Sequence, residues 1–163
     1  MARQETTETE NPLNPSEDRP SELNERTHAE FLAVYKDASE NIRFAKTQQW
    51  RSVSYFSAGT IAVTAFGHVT DWQDPTVTKY LLAMVWIFSL ASVGVILSLQ
   101  WWQGVEHSKI DYVTSKWGAF STAARRRKSK LMSDIQRYGM LSAMILYIEL
   151  TTIAVTKIFT LHL

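Results

Sequence analysis

Apolar positions recur along this chain in two patterns. In the first, Phe31, Tyr35, Ala38, Ile42, Ala45 and Gln49 follow one another at steps of four and three. That spacing places them on one face of a helix. The remaining positions carry Glu30, Lys36, Asp37, Glu40, Arg43 and Lys46, so the other face is expected to meet water. Thr27-His28-Ala29-Glu30 fits a capping box, in which the threonine and the glutamate satisfy free N–H groups at the helix start. Neither Gly nor Pro occurs between Thr27 and Ala58, so the helix can run on into the next block. A second face of the same kind is formed by Ile110, Val113, Trp117, Phe120 and Ala124. Gly104 and Gly118 are weak points in it.

The second pattern is continuous. Ser52–Thr70 holds no formal charge, and neither does Tyr80–Val105. Tyr138–Leu161 carries only Glu149 and Lys157. A helix needs about 20 such residues to cross a hydrocarbon core of about 30 Å. The fold class expected is therefore all-α: an integral membrane protein with three transmembrane helices, the first two extended by cytoplasmic amphipathic helices. The expected divisions are a tail over 1–25, an amphipathic helix over 26–51, a first span over 52–70 and an outer loop over 71–79. A second span over 80–103, a basic amphipathic helix over 104–137 and a third span over 138–161 follow. Ser54, Ala58 and Ala62 are four apart, a small-residue face that lets another helix approach closely; Gly94 and Ser98 form a second small pair. Lys79 and Tyr80 mark one interface of the second span, and Trp101 and Trp102 the other. Trp86, inside that span, suits packing better than a cofactor wall.

Glu149 sits near the middle of the third span. A charge there costs on the order of 3 kcal/mol on insertion scales, so such a residue faces protein or water. Ser142, Glu149 and Thr156 are seven apart, with Thr152 three beyond Glu149, and together they make one polar stripe that needs partners.

Charge changes the picture by giving it a direction. The net charge of +1 hides segregation. Acids (Glu5, Glu8, Glu10, Glu17, Asp18, Glu22, Glu25) dominate the first 25 residues, which are also rich in Thr, Asn, Pro and Ser. Such a segment cannot bury enough apolar surface to order itself, and it lacks the apolar core of a signal peptide. Arg26, Lys36, Arg43, Lys46 and Arg51 precede the first span, and Lys109, Lys116, Arg125, Arg126, Arg127, Lys128, Lys130 and Arg137 lie between the second and third. Only Lys79 stands between the first two. The positive-inside rule then puts the N-terminus and the basic segment in the cytoplasm and the C-terminus outside, with a bacterial inner membrane as the expected setting. The cluster Arg125, Arg126, Arg127, Lys128 and Lys130 is read as an orientation signal at the membrane surface rather than as a nucleic-acid site. The two cytoplasmic faces adjoin the two arms of a membrane hairpin. They are expected to pack as an antiparallel pair; the alternative lays the Trp117/Phe120 face on the membrane surface.

Candidate chemistry is sparse. The chain has no cysteine, which removes disulfides, thiolate metal sites and cysteine nucleophiles. It shows no phosphate loop, HExxH, GxSxG or paired catalytic carboxylates. His68 and His162, near the outer ends of spans one and three, are a weak signal for a metal or haem. No cofactor and no metal is expected. The reading is a non-enzymatic membrane protein whose partners are the lipid bilayer and either further copies of itself or a larger complex, with no nucleic acid. The alternative is an oligomeric ion or proton channel with Glu149 lining the path.

Overall fold

A computed structural model describes residues 23–70, 72, 74–118 and 130–161. It shows three helices and, among those residues, no strand: α1 (Glu25–Val69), α2 (Pro75–Lys116) and α3 (Lys130–Thr160). Helix α1 passes without a break from the amphipathic stretch into the charge-free one. It starts earlier than the expected capping box. Asn24 is the N-cap, and its side chain accepts the Thr27 N–H at 2.8 Å. Asparagine is among the best N-caps, so Thr27 becomes the third residue of the helix. Glu30 pairs instead with Arg26 at 3.7 Å.

Helix α2 begins inside the segment expected to be the outer loop. Asp74 caps it by accepting the Thr76 N–H at 2.7 Å, and Pro75 occupies its first position. Proline is pre-set for that place and has no N–H to leave unpaired. The turn between α1 and α2 is thus shorter than the sequence suggested. The stretch 104–137 is not one helix either. Helix α2 carries on through Gly104 and stops at Trp117, whose backbone turns extended. Helix α3 starts at Lys130, and residues 119–129 lie outside the described set.

α1 and α2 pack antiparallel along nearly their whole length. The α1 side of the seam is Ala38, Ile42, Ala45, Gln49, Phe56, Thr60, Val63 and Gly67, all buried. The α2 side includes Thr78, Val85, Ser89, Ile96, Gln103, Glu106 and Val113. Steps of three, four and seven on both helices are the spacing of a coiled-coil seam. The expected pairing of the two amphipathic faces is present as far as Trp117, with Phe120 and Ala124 outside the described residues: Trp117 at the end of α2 meets His28 and Tyr35 at a tilt, with ring centroids 5.9 Å and 5.4 Å away. Phe44 meets Trp102 edge-on at 6.1 Å.

α3 lies against α2 and runs parallel to α1. Met144 and Ile148 join Phe56 and Ile96 in one buried cluster, and Val155 and Phe159 join Val63 and Val85 in another. Helix α2 and the Asp134–Thr160 stretch of α3 are long and apolar enough to cross a membrane. The charge-free part of α1, residues 52–69, is shorter than either and is not apolar enough to join them. It carries Ser52, Ser54, Ser57, Thr60, Thr64 and His68, which lower its apolarity.

Candidate functional site

Two features hold polar chemistry where the helices meet. The first is a chain of amides in the α1/α2 seam. Gln103 Nε2 donates to Gln49 Oε1 at 3.0 Å, and Gln49 Nε2 donates to the Ile96 carbonyl at 3.2 Å and to Gln100 Oε1 at 3.3 Å. One turn beyond Gln103, Glu106 is only 2% exposed and accepts from Lys109 Nζ at 2.7 Å. Gln100 Nε2 and Glu106 Oε2 are buried without a hydrogen-bond partner. Spacing put Gln49 in the seam, but nothing in the sequence singled out Gln100, Gln103 or Glu106. Their signal is a polar residue every three or four places at the end of an apolar run.

The second feature is a crevice between α1 and α3. α3 packs mainly on α2, so the two parallel helices splay apart. One groove of about 840 Å³ is lined by Trp50, Val53, Ser54 and Ser57 from α1 and by residues of α3 from Ile135 to Tyr147. A second, of about 450 Å³, continues past Thr60, Thr64 and His68 on α1 and Thr151 and Val155 on α3. Ser57 and Tyr147 line both, and their hydroxyls hydrogen-bond at 2.9 Å, dividing the crevice. Thr60 Oγ1, in the second groove, is buried and has no hydrogen-bond partner.

The expected site residues fall in different places. Of the α3 stripe, Thr152 is fully buried in the helix interface, where its hydroxyl donates to the Ile148 carbonyl at 2.8 Å. Ser142 is exposed, while Glu149 and Thr156 are half-buried on the flank of that interface. Thr156 Oγ1 has no hydrogen-bond partner. Among the described residues Glu149 makes no hydrogen bond or ion pair.

The stripe is not drawn together with another polar patch, because Met144, Ile148, Val155 and Phe159 set which face of α3 meets α2. The small-residue face is likewise displaced from the intrachain contact. Ser54, Ala58 and Ala62 are all exposed; Ser54 Oγ donates back to the Trp50 carbonyl and edges the larger groove. α1 uses Phe56, Thr60, Val63 and Gly67 instead. This row continues the seam begun at Ala38.

The side chains of Arg125, Arg126, Arg127, Lys128 and Lys130 lie outside the described set. So does His162, while His68 lines the second groove. No group of three or more His, Asp or Glu placed to hold a metal ion occurs among the described residues. Compared with family models, curated proteins and solved structures, the chain matches none.

Proposed function

We propose that this chain is a three-span membrane protein that works without catalysis, as a self-associating or accessory subunit of a membrane complex. Its N-terminus and basic segment lie in the cytoplasm and its C-terminus outside. The observation that carries the association is Glu149. It stands at mid-span on α3, half-buried, with no partner among the described residues of its own chain. A carboxyl group at that depth needs polar company, which a second copy or another subunit supplies. The exposed face of Ser54, Ala58 and Ala62 offers a surface on which another helix can approach closely.

Several features support α1 as a span despite its hydroxyls. Helices α2 and α3 flank it and meet the apolarity of a span. Over 52–70, 80–103 and 138–161 the three spans hold 19, 24 and 24 residues, roughly 28–36 Å at 1.5 Å per residue. Aromatic residues close those lengths near both ends, as at membrane interfaces. The hydroxyls of Ser54, Ser57 and Thr64 each donate to the carbonyl four residues earlier, which lowers their cost in an apolar medium.

Glu149 equally motivates the channel, in which the acid lines a path between copies. Both readings require an oligomer or a complex, and the mass of the protein extracted in mild detergent tests them together. The expected result is a mass above one chain that falls in Ala58→Trp or Glu149→Leu. A single chain in both mild detergent and lipid nanodiscs would refute association.

A further inference from the structure

The three-span reading gives the larger α1/α3 groove a definite depth, and the assignment of an occupant to it rests on that reading. Tyr138 marks the cytoplasmic boundary on α3, and Tyr147 lies nine residues deeper, roughly 14 Å. The hydrocarbon of one leaflet is about 15 Å deep, half of the core's thickness. The groove therefore runs the depth of the cytoplasmic leaflet. The Ser57–Tyr147 hydrogen bond closes it at mid-bilayer. Val53, Met140 and Met144 give it apolar walls, and Gly139 and Ala143 make it deep.

Above the boundary the same face of α1 changes character. Arg43 and Lys46 lie eleven residues before Ser54 and Ser57, almost in line with them on the helix. Both are exposed. Glu40 is one turn further from the membrane. Asp134, near the start of α3, falls nearly in line with Leu141 and Ile148, the side of α3 that packs into the core rather than the slot. The result is an apolar slot, one leaflet deep, beneath a cationic rim.

We propose that this slot binds an anionic phospholipid of the cytoplasmic leaflet, with an acyl chain along Val53, Ala143 and Met144 and the phosphate beside Arg43 and Lys46. Charge favours an anionic headgroup over the α1 helix of a second copy as the occupant. A copy in the same membrane has the same orientation, so its α1 carries its own Arg43 and Lys46 to the same level. Seating that helix in the slot brings like charges together, whereas an anionic headgroup brings the opposite sign. A zwitterionic lipid fills the slot but gains little at the rim.

The test is native mass spectrometry of the full chain, delipidated and then titrated with phosphatidylglycerol or phosphatidylcholine. Wild type should retain one phosphatidylglycerol per chain with about ten-fold preference, the size expected for one or two basic residues at a membrane surface. Ala143→Trp fills the slot and should lose the lipid. Arg43→Gln with Lys46→Gln, on an exposed face that folding does not depend on, should keep a lipid but lose the preference. The double variant decides the matter if Ala143→Trp does not fold.

Equal retention of both lipids by wild type overturns the proposal, as does phosphatidylglycerol binding unchanged in Ala143→Trp. A wild-type dimer that Ala143→Trp converts to a monomer also overturns it and gives the slot to a second copy. Labelling of Gln73→Cys from outside intact cells reports the three-span reading separately. If Gln73→Cys is labelled while lipid retention fails, the slot assignment alone falls. If it is not labelled, the three-span reading falls.

Discussion

The indole of Trp72 lies against the backbone of Gly67, so close that a Cβ on residue 67 would stand 2.2 Å from the Trp72 ring. Glycine is needed there for space, not for its dihedral freedom. The Trp72 N–H donates to the Gly67 carbonyl at 3.2 Å, and its ring meets Phe159 edge-on at 4.8 Å. Trp72 is held at a φ of 53°, in the left-handed region, which costs a non-glycine residue on the order of 1 kcal/mol or more. One aromatic residue thus ties the α1/α2 turn to the end of α3.

Gly67→Ala should therefore displace the indole and destabilise the protein by about 1–3 kcal/mol, the usual cost of overpacking. In a Trp72→Ala background the same change should be neutral or slightly stabilising, since alanine favours helix by up to about 1 kcal/mol over glycine. Melting curves of the four proteins in detergent measure the coupling. Equal effects of Gly67→Ala in both backgrounds would show that the contact carries no energy.

The amide chain in the seam gives a second cycle. Gln49→Leu strips Gln103 Nε2 of its acceptor in a buried place, and leaving such a group unpaired costs about 1–3 kcal/mol. Gln49→Leu with Gln103→Leu removes both ends of that bond and should recover much of the loss. What the double variant should lose is registry, because a polar pair in an apolar seam penalises slipped pairings. Denaturant or thermal midpoints report the first effect. Disulfide trapping between Tyr35→Cys and Trp117→Cys, which face each other in the native register, reports the second. If the double variant is as unstable as the single, the amide bond is not what stabilises the seam.

Periodicity made the α1 half of this architecture legible. Ala38, Ile42, Ala45 and Gln49 are buried together, and the predicted face packs on α2. The partners of Gln49 were not legible, because Gln103 is 54 residues away and no local signal records a contact across that separation. Ser54, Ala58 and Ala62 have a pattern as regular as that of Phe56, Thr60 and Val63. Spacing alone does not say which row a partner takes; the seam established nearer the N-terminus carries the second row inward. On α3 the stripe was legible as a stripe. Its orientation was set by the bulk of Met144, Ile148 and Phe159, to which a polar periodicity is blind. The helix start moved to Asn24 because a better capping residue stood three places ahead of Thr27.

Topology is open to direct test, since the chain contains no cysteine and single ones can be placed freely. Gln73→Cys and His162→Cys should react with an impermeant thiol reagent applied to intact cells, while Thr47→Cys and Ser129→Cys should react only after lysis. Replacing Arg125, Arg126, Arg127, Lys128 and Lys130 with glutamine should scramble this pattern if the cluster orients the chain. Labelling of Ser129→Cys in intact cells would reverse the orientation. Salt-sensitive binding of the purified protein to RNA or DNA would reassign the cluster.

Glu149 separates the two readings of function by a single substitution. A carboxyl group that serves only as a hydrogen-bonding partner can be replaced by glutamine, which keeps its shape and still donates and accepts. Leucine leaves the partner group unsatisfied, at about 1–3 kcal/mol per buried group, and should weaken assembly by ten-fold or more, since about 1.4 kcal/mol corresponds to a factor of ten. A group that passes protons or cations must ionise, and glutamine cannot. The measurement is complex mass together with ion and proton flux in liposomes for wild type, Glu149→Gln and Glu149→Leu. An accessory subunit should show no flux in any of the three, normal assembly with glutamine and impaired assembly with leucine. Flux in wild type that disappears in Glu149→Gln while the assembly stays intact would replace the subunit by the channel. Assembly untouched in all three would mean that Glu149 takes no partner across the interface, and the association surface would then have to be sought on the Ser54, Ala58 and Ala62 face alone.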